Sequence, residues 1–260
     1  LVLIHLFLQL FVYMFYKVFP KLNKFPLNLI LRKIEKVLLN GVSKIGFVAE
    51  LPRNKFVLNH SYPLNKTFYI YNGVKDNNNR CLLNNINNHI TLSCVGTLCK
   101  RKNQREILQA IKLLPIQKQK RLTLYFVGDG EERRTLEDLS KLIESEVVFT
   151  GSIIDVDEYL LKSDFFILFS KDEGLPISII EAMRCGLPII GTNIAGIPEM
   201  IIDGKSGFII EPDIKCLSEL LNRILEEKLD IISLGQESRT LYEKKFTIES
   251  MIDNYIVLWS

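Results

Sequence analysis

The chain has 260 residues, 47% of them hydrophobic and 24% charged, an ordinary composition for a globular protein that buries one large or two modest cores. Thirty-three basic and 30 acidic side chains leave a formal net charge of +3, too even a balance to point to nucleic acid as a partner. Five scattered cysteines without a CxxC pair, and only His5, His60 and His89 as histidines, argue against zinc and for a reducing, cytoplasmic compartment.

The sequence opens at Leu1 inside an apolar run, LVLIHLFLQLFVYMFYKVF, and reads as a fragment of a longer chain. About 18 apolar residues suffice for a membrane span, so peripheral or spanning membrane contact competes here with a buried strand followed by an apolar helix. His5 and Gln9 inside the run favour the second reading, and no basic residues precede it as in a signal peptide. Up to Tyr71 apolar segments mix with basic residues (Lys17, Lys21, Lys24, Arg32, Lys33, Lys36 among them) and few acids. An Asn-rich stretch over 72–88 then reads as a linker or surface loop. This places one domain at 1–71, a second at 89–245, and a terminal helix at 246–260.

Beyond the linker, strands and helices alternate. HITLSCVG predicts a buried strand ending at Gly96, and REILQAIKLL a helix stopped by Pro115. RLTLYFVGDG predicts a second strand closed by Gly128 and Gly130, and EERRTLEDLSKLIE an amphipathic helix with Leu136, Leu139, Leu142 and Ile143 on one side. VVFTG is a short strand, DVDEYLLKS a short helix, and DFFILFS a continuous apolar strand of the parallel-sheet kind. ISIIEAMRC, LPIIG, IPEMIID and GFIIEP continue as helix, strand, short helix and strand, and 213–260 is mostly helical. The alternation predicts an α/β fold, a doubly wound parallel sheet with right-handed crossovers. Ligands in such folds lie beyond the carboxyl ends of the strands.

The turn with most chemical content is KDEGLPISIIE, Lys171 to Glu181. Gly174 permits a tight turn, and Pro176 suits the first helical position, where a missing N–H costs nothing. The helix start offers free N–H groups and a positive dipole end to a phosphate. Glu173 and Glu181 then present carboxylates that accept hydrogen bonds from hydroxyls at two ends of an elongated ligand. Taken singly, Glu173 also fits a solvated loop acid and Glu181 a helix surface charge.

The E-x7-E pair within EGLPISIIEAMRCGLPIIGT resembles the donor-binding motif of glycosyltransferase family 4 and its GT-B-fold relatives. VGTLCKRKNQREILQAI, LYFVGDGEERRTLEDL, VVFTGSI, GIPEMIIDGKSGFIIEPD and YIYNGV resemble that family's other segments in the same order, covering about residues 69–213. The resemblance implies a GT-B architecture: part of a Rossmann-like acceptor domain, then a Rossmann-like donor domain, with FTIESMIDNYIVLW similar to the family's crossover helix. It implies transfer of a hexose-type sugar from a nucleotide-diphosphate sugar to a saccharide or lipid-linked acceptor, with retained configuration, no metal and no cofactor. Polysaccharide or glycolipid synthesis at the inner face of the plasma membrane is the setting it suggests.

Residue by residue, the resemblance implies that Glu173 binds hydroxyls of the transferred sugar and Glu181 the ribose. Gly174, Leu175 and Pro176 approach the sugar and phosphates, Gly128 and Gly151 leave space for the nucleotide, and Lys102 binds phosphate, with Lys100 and Arg101 as rivals. His5 matches a histidine that often follows an acceptor-domain strand, and competes with a buried hydrogen-bonded histidine. Thr97 stands where the family usually has arginine, so a phosphate charge is missing or is supplied by Arg101. Glu199 in GIPE divides between a site residue and a helix cap. DVD, Asp155 to Asp157, is a DxD pair of the metal-binding type, set against acids at a helix start. A nucleotide-sugar epimerase, a non-catalytic donor-binding domain and a membrane-anchored scaffold are the alternative functions.

Overall fold

The apolar runs bounded by glycine form strands in the computed structural model, which describes residues 39, 41–83, 89–227 and 229–260. The opening apolar run and His5 lie outside the described residues. No helix among those described is long and apolar enough to cross a membrane. Two compact units are present: one ends at Phe47 and resumes over Arg53–Tyr69, and the other is Val48–Pro52 with Ile70–Ser260.

In the first unit, β1 (Ile45–Phe47) pairs in parallel with β2 (Thr67–Tyr69). Parallel neighbours need a crossover, and α1 (Glu50–His60) lies between them in the chain. Leu39, Ile45 and Tyr62 are buried together, and the Phe47 and Phe56 rings pack 5.2 Å apart.

The second unit holds the sheet that the sequence predicts. Its strands are β3 (Ile90–Val95), β4 (Leu122–Val127), β5 (Glu146–Gly151), β6 (Phe165–Leu168), β7 (Ile189–Thr192) and β8 (Gly207–Ile210). All pair in parallel, in the order β5-β4-β3-β6-β7-β8. The helices are α2 (Gln104–Lys112), α3 (Ile116–Gln119), α4 (Arg133–Ser140), α5 (Asp157–Leu160), α6 (Ile177–Cys185), α7 (Ile214–Glu226), α8 (Ile231–Lys245) and α9 (Ile248–Trp259). Successive strand residues point to opposite faces. Leu92, Leu124, Phe126, Phe165 and Ile167 therefore pack with α2, α4 and α7 on one side. Val95, Val127, Phe166, Leu168 and Ile189 pack with α6 and α8 on the other. Strand order reverses between β3 and β6, and the crevice at their carboxyl ends is where a ligand fits.

Three local expectations shift. The apolar spacing predicts a helix through Ile143, but α4 ends at Ser140. Leu136 is fully buried and Leu139 and Ile143 pack on the core, while Leu142 is 56% exposed because the chain has left helical register. IPEMIID makes only a 3-10 turn, Ile197–Glu199. Pro176 is the residue before the helix, with extended ψ of 121°, and Ile177 begins α6.

The described part of the Asn-rich stretch lies along the second unit. Val74 donates its N–H to the Phe246 carbonyl at 3.0 Å and accepts from Ile248 N–H at 3.1 Å. Asp76 pairs with Arg239, Asn79 donates to Asp157 at 2.9 Å, and Cys81 N–H donates to the Cys185 carbonyl at 2.8 Å. The Arg239 guanidinium holds the Asp76 carboxyl well below the usual carboxylate range. A depressed carboxyl pKa stabilises the fold above the unfolded-state value, and that stability is lost as pH falls toward the folded-state value. Asp76→Asn should therefore cost about 1–2 kcal/mol at pH 7. The deficit should shrink steadily below about pH 4, as read by urea denaturation. A deficit independent of pH would contradict the pairing.

Candidate functional site

At the crevice, β3 runs into Gly96 and β4 into Gly128, and the two strand ends touch. Gly128 has φ +141°, and a side chain there would place Cβ 2.2 Å from the Gly96 carbonyl oxygen. Only glycine allows that approach. The loop after Gly96 is anchored by buried Leu98, whose N–H donates to the Asp129 carbonyl at 3.0 Å and whose carbonyl accepts from Glu132 at 3.0 Å. Gln104 Nε2 holds the Thr97 carbonyl at 2.9 Å, while Thr97 itself is exposed.

Across the crevice, β6 leads into the Lys171–Pro176 turn. Lys102 Nζ lies 2.7 Å from Glu173 Oε1, and Arg101 Nη1 lies 3.3 Å from Glu173 Oε2. The Glu173 and Lys102 side chains are only 7% and 11% exposed, and that of Arg101 is 50% exposed. Arg101 also donates to the Asp172 carbonyl at 2.9 Å, and Lys171 N–H donates to the Arg101 carbonyl at 2.9 Å. The two turns are therefore stitched together. Two cations thus share one carboxylate, four residues before α6 begins, and the amino end of a helix is the positive end of its dipole. Of the three basic residues in the KRK run, Lys102 and Arg101 reach Glu173. Lys100 is exposed beside a groove of about 380 Å³ that Cys99, Gln104, Glu106 and Lys171 also line. That groove does not include Glu173 or Glu181, so the convergent charges, and not the groove, mark the site.

The rest of the turn is fixed by its backbone. The Gly174 carbonyl accepts from Gly196 N–H at 3.0 Å, and the Leu175 carbonyl accepts from Asn72 Nδ2 at 2.9 Å. No side chain caps α6, and Ser170 and Ser178 carry buried hydroxyls without a protein partner. Buried polar groups are normally paired, so the turn retains hydrogen-bonding capacity for a ligand. Glu181 lies further along α6 in different surroundings. Burial raises its pKa, with Arg184 opposing and Asp157 adding to the shift. Gly151, φ +73°, bridges to Gly128 at the end of β5, with Arg133 Nη1 3.3 Å from where a Cβ would stand.

A family model described as Glycosyl transferases group 1 matches residues 78–243. The chain belongs to that family. N-acetyl-alpha-D-glucosaminyl L-malate synthase of Bacillus anthracis is 31% identical over 168 residues, 64% of this chain and 44% of the relative. Capsular polysaccharide biosynthesis glycosyltransferase CapM of Staphylococcus aureus is 24% identical over 182 residues, 66% of this chain and 48% of the relative. The chain thus spans about half the length of these curated relatives. Among solved structures, HepE of Anabaena, in complex with UDP and glucose, superposes with a TM-score of 0.73 at 18% identity, covering 88% of this chain and 66% of that one. TarM, from S. aureus, superposes with a TM-score of 0.75 at 20% identity, covering 88% of this chain and 46% of that one. The fold is that of these GT-B glycosyltransferases.

Two other sequence candidates take structural places in this group 1 chain. Asp157 of the DVD pair is buried, pairs with Arg184, and accepts from Asn77 and Asn79. Asp155 accepts the Asp157 N–H at 3.0 Å. The Asp157 carboxylate thus serves as a buried acceptor for three side chains. Glu199 does cap a helix, but one that begins 149 residues earlier: it accepts the N–H groups of Glu50 at 2.9 Å and Leu51 at 2.6 Å, at the start of α1. Tyr71 OH adds a third donor at 2.8 Å. Sequence reasoning does not single out Tyr71 and Asn72, because polar contacts to residues more than 100 positions away leave no local signal.

The glycine contact gives a test of the crevice. Gly128→Ala should lower the unfolding free energy by about 2–3 kcal/mol, since it adds both positive-φ strain and a backbone clash. Urea denaturation reads this directly. An unchanged midpoint would mean that the strand ends are not packed as described.

Proposed function

We propose that this chain is the donor-binding part of a retaining, metal-independent glycosyltransferase. It moves a hexose-type sugar from a nucleotide-diphosphate sugar to a saccharide or lipid-linked acceptor in cell-surface polysaccharide or glycolipid synthesis. The observation that carries the reading is the buried Glu173 carboxylate held between Lys102 and Arg101 at the switch point of the sheet. A diphosphate entering there replaces the carboxylate on both cations, and Glu173 turns to the hydroxyls of the sugar. Membership of the group 1 family supports this, as does a fold shared with a protein solved with UDP and glucose.

As the bond from the sugar's anomeric carbon to the β-phosphate oxygen breaks, negative charge accumulates on the departing diphosphate. Lys102, Arg101 and the amino end of α6 stabilise that charge where it develops. Arg101 supplies the second cation that Thr97 does not. The acceptor hydroxyl attacks from the face that the leaving group vacates, and its proton passes to the departing phosphate oxygen. Configuration is retained and no protein nucleophile is required. Glu181 accepts ribose hydroxyls, and Gly174, Leu175 and Pro176 present backbone to the sugar and phosphates.

Lys102→Ala should weaken nucleoside diphosphate binding by about tenfold to a hundredfold, the worth of one charge-assisted hydrogen bond. Glu173→Gln removes the competing carboxylate charge, so nucleotide affinity should be kept or rise while transfer falls by roughly a hundredfold. Calorimetric titration with UDP, GDP and ADP, alongside product formation from their sugar conjugates, separates the two. Equal nucleotide affinity before and after Lys102→Ala would sink the phosphate assignment. Nucleotide-sugar affinity without turnover in the full-length protein would leave a binding domain.

A further inference from the structure

Glu199 makes three long-range hydrogen bonds that the proposed chemistry does not use. Its two carboxylate oxygens accept the backbone N–H groups of Glu50 and Leu51 and the hydroxyl of Tyr71. An ionised carboxylate is a pure acceptor with room for about four donors. The amino end of an 11-residue helix also favours negative charge. Val48–Pro52 and the chain from Ile70 onward are separate stretches of the second compact unit. One carboxylate therefore holds both.

These stretches bear directly on the turn that follows Glu173. Ala49 is fully buried, and a Cβ on Gly196 would stand 2.7 Å from the Ala49 Cβ and 2.6 Å from the Gly174 carbonyl oxygen. A Cβ on Gly174 would stand 3.2 Å from Val48 Cγ2. Asn72, next to Tyr71, holds the Leu175 carbonyl at 2.9 Å. Ala195, the residue before Gly196, has φ +46°, a conformation that costs a non-glycine residue energy and persists only where its surroundings enforce it. Close packing of this kind passes a shift in one segment to the next.

We propose that Glu199 is a positioning residue: it sets residues 48–52 and 70–72 against the Gly174–Leu175 turn and so holds the sugar end of the donor site in working geometry. This rests on the assignment of that turn to the donor sugar. Lys102 and Arg101, the proposed phosphate cations, are held instead by Glu173 and by the Lys171–Asp172 backbone. Loss of Glu199 should thus act more on recognition of the sugar than on recognition of the diphosphate, which Lys102 and Arg101 also hold.

The test compares the full chain with Glu199→Ala, Glu199→Gln and Tyr71→Phe. Each is titrated with UDP, GDP and ADP and with UDP-glucose, GDP-mannose and ADP-glucose, and amide exchange is followed at Glu50 and Leu51. Glu199→Ala should speed exchange at both amides and leave nucleoside diphosphate affinity within about twofold. The extra affinity conferred by the sugar should fall about fivefold or more, as expected when a site is displaced from a distance. Glu199→Gln keeps one carbonyl acceptor and should lie between, with Tyr71→Phe milder still; these two decide the matter if the alanine variant does not fold. Faster exchange with an unchanged sugar increment would make Glu199 purely structural and overturn the proposal. Equal losses for nucleotide and nucleotide sugar would overturn it too. Failure of the unaltered chain to bind any of the six would instead overturn the donor-site assignment on which it rests.

Discussion

A lysine and a glutamate meet at the carboxyl ends of the two strands where the sheet changes direction, and the geometry of the site follows from that pair. Burying opposite charges is costly, and a well-packed apolar pair of the same volume is often as stable or better. Lys102 and Glu173 are nonetheless almost fully enclosed, with Arg101 as a second cation on the same carboxylate. Such an arrangement makes little sense as a stabilising device. On the proposed function it is a phosphate site in which a side-chain carboxylate occupies the anion position until a ligand takes it.

Everything around the pair serves to bring two turns within reach of each other. The parallel sheet places the ends of β3 and β6 side by side, and Gly96 and Gly128 let the strand ends approach without side chains between them. Leu98 pins one turn from below, while Gly196 and Asn72 hold the carbonyls of the other. Because those carbonyls are already satisfied, the backbone of the turn has little freedom to collapse around a ligand and is preorganised. The Glu199 clasp extends the same logic to the chain segments that lie against the turn.

Much of this was legible in the residues alone. Most strands of the second unit announced themselves as apolar runs closed by glycine or proline, and α6 began within one residue of its expected start because Pro176 cannot sit inside a helix. Glu173 and Lys102 were singled out by the family resemblance in the turns after β6 and β3, and their side chains meet. What could not be read were contacts between distant parts of the chain. Asp76 with Arg239, Asn77 and Asn79 with Asp157, and Glu199 with Glu50 join polar residues more than 75 positions apart. Polar residues carry no periodicity to reveal such partners. The end of α4 at Ser140 was hidden for a different reason: the apolar spacing continues to Ile143 although the helix does not.

The most direct measurement is a crystal structure of this chain with a bound nucleoside diphosphate. The account expects Lys102 Nζ to leave Glu173 Oε1, now 2.7 Å away, for a phosphate oxygen, with Arg101 following and Glu173 released toward the sugar position. A nucleotide bound elsewhere, with the Lys102–Glu173 pair intact, would contradict it.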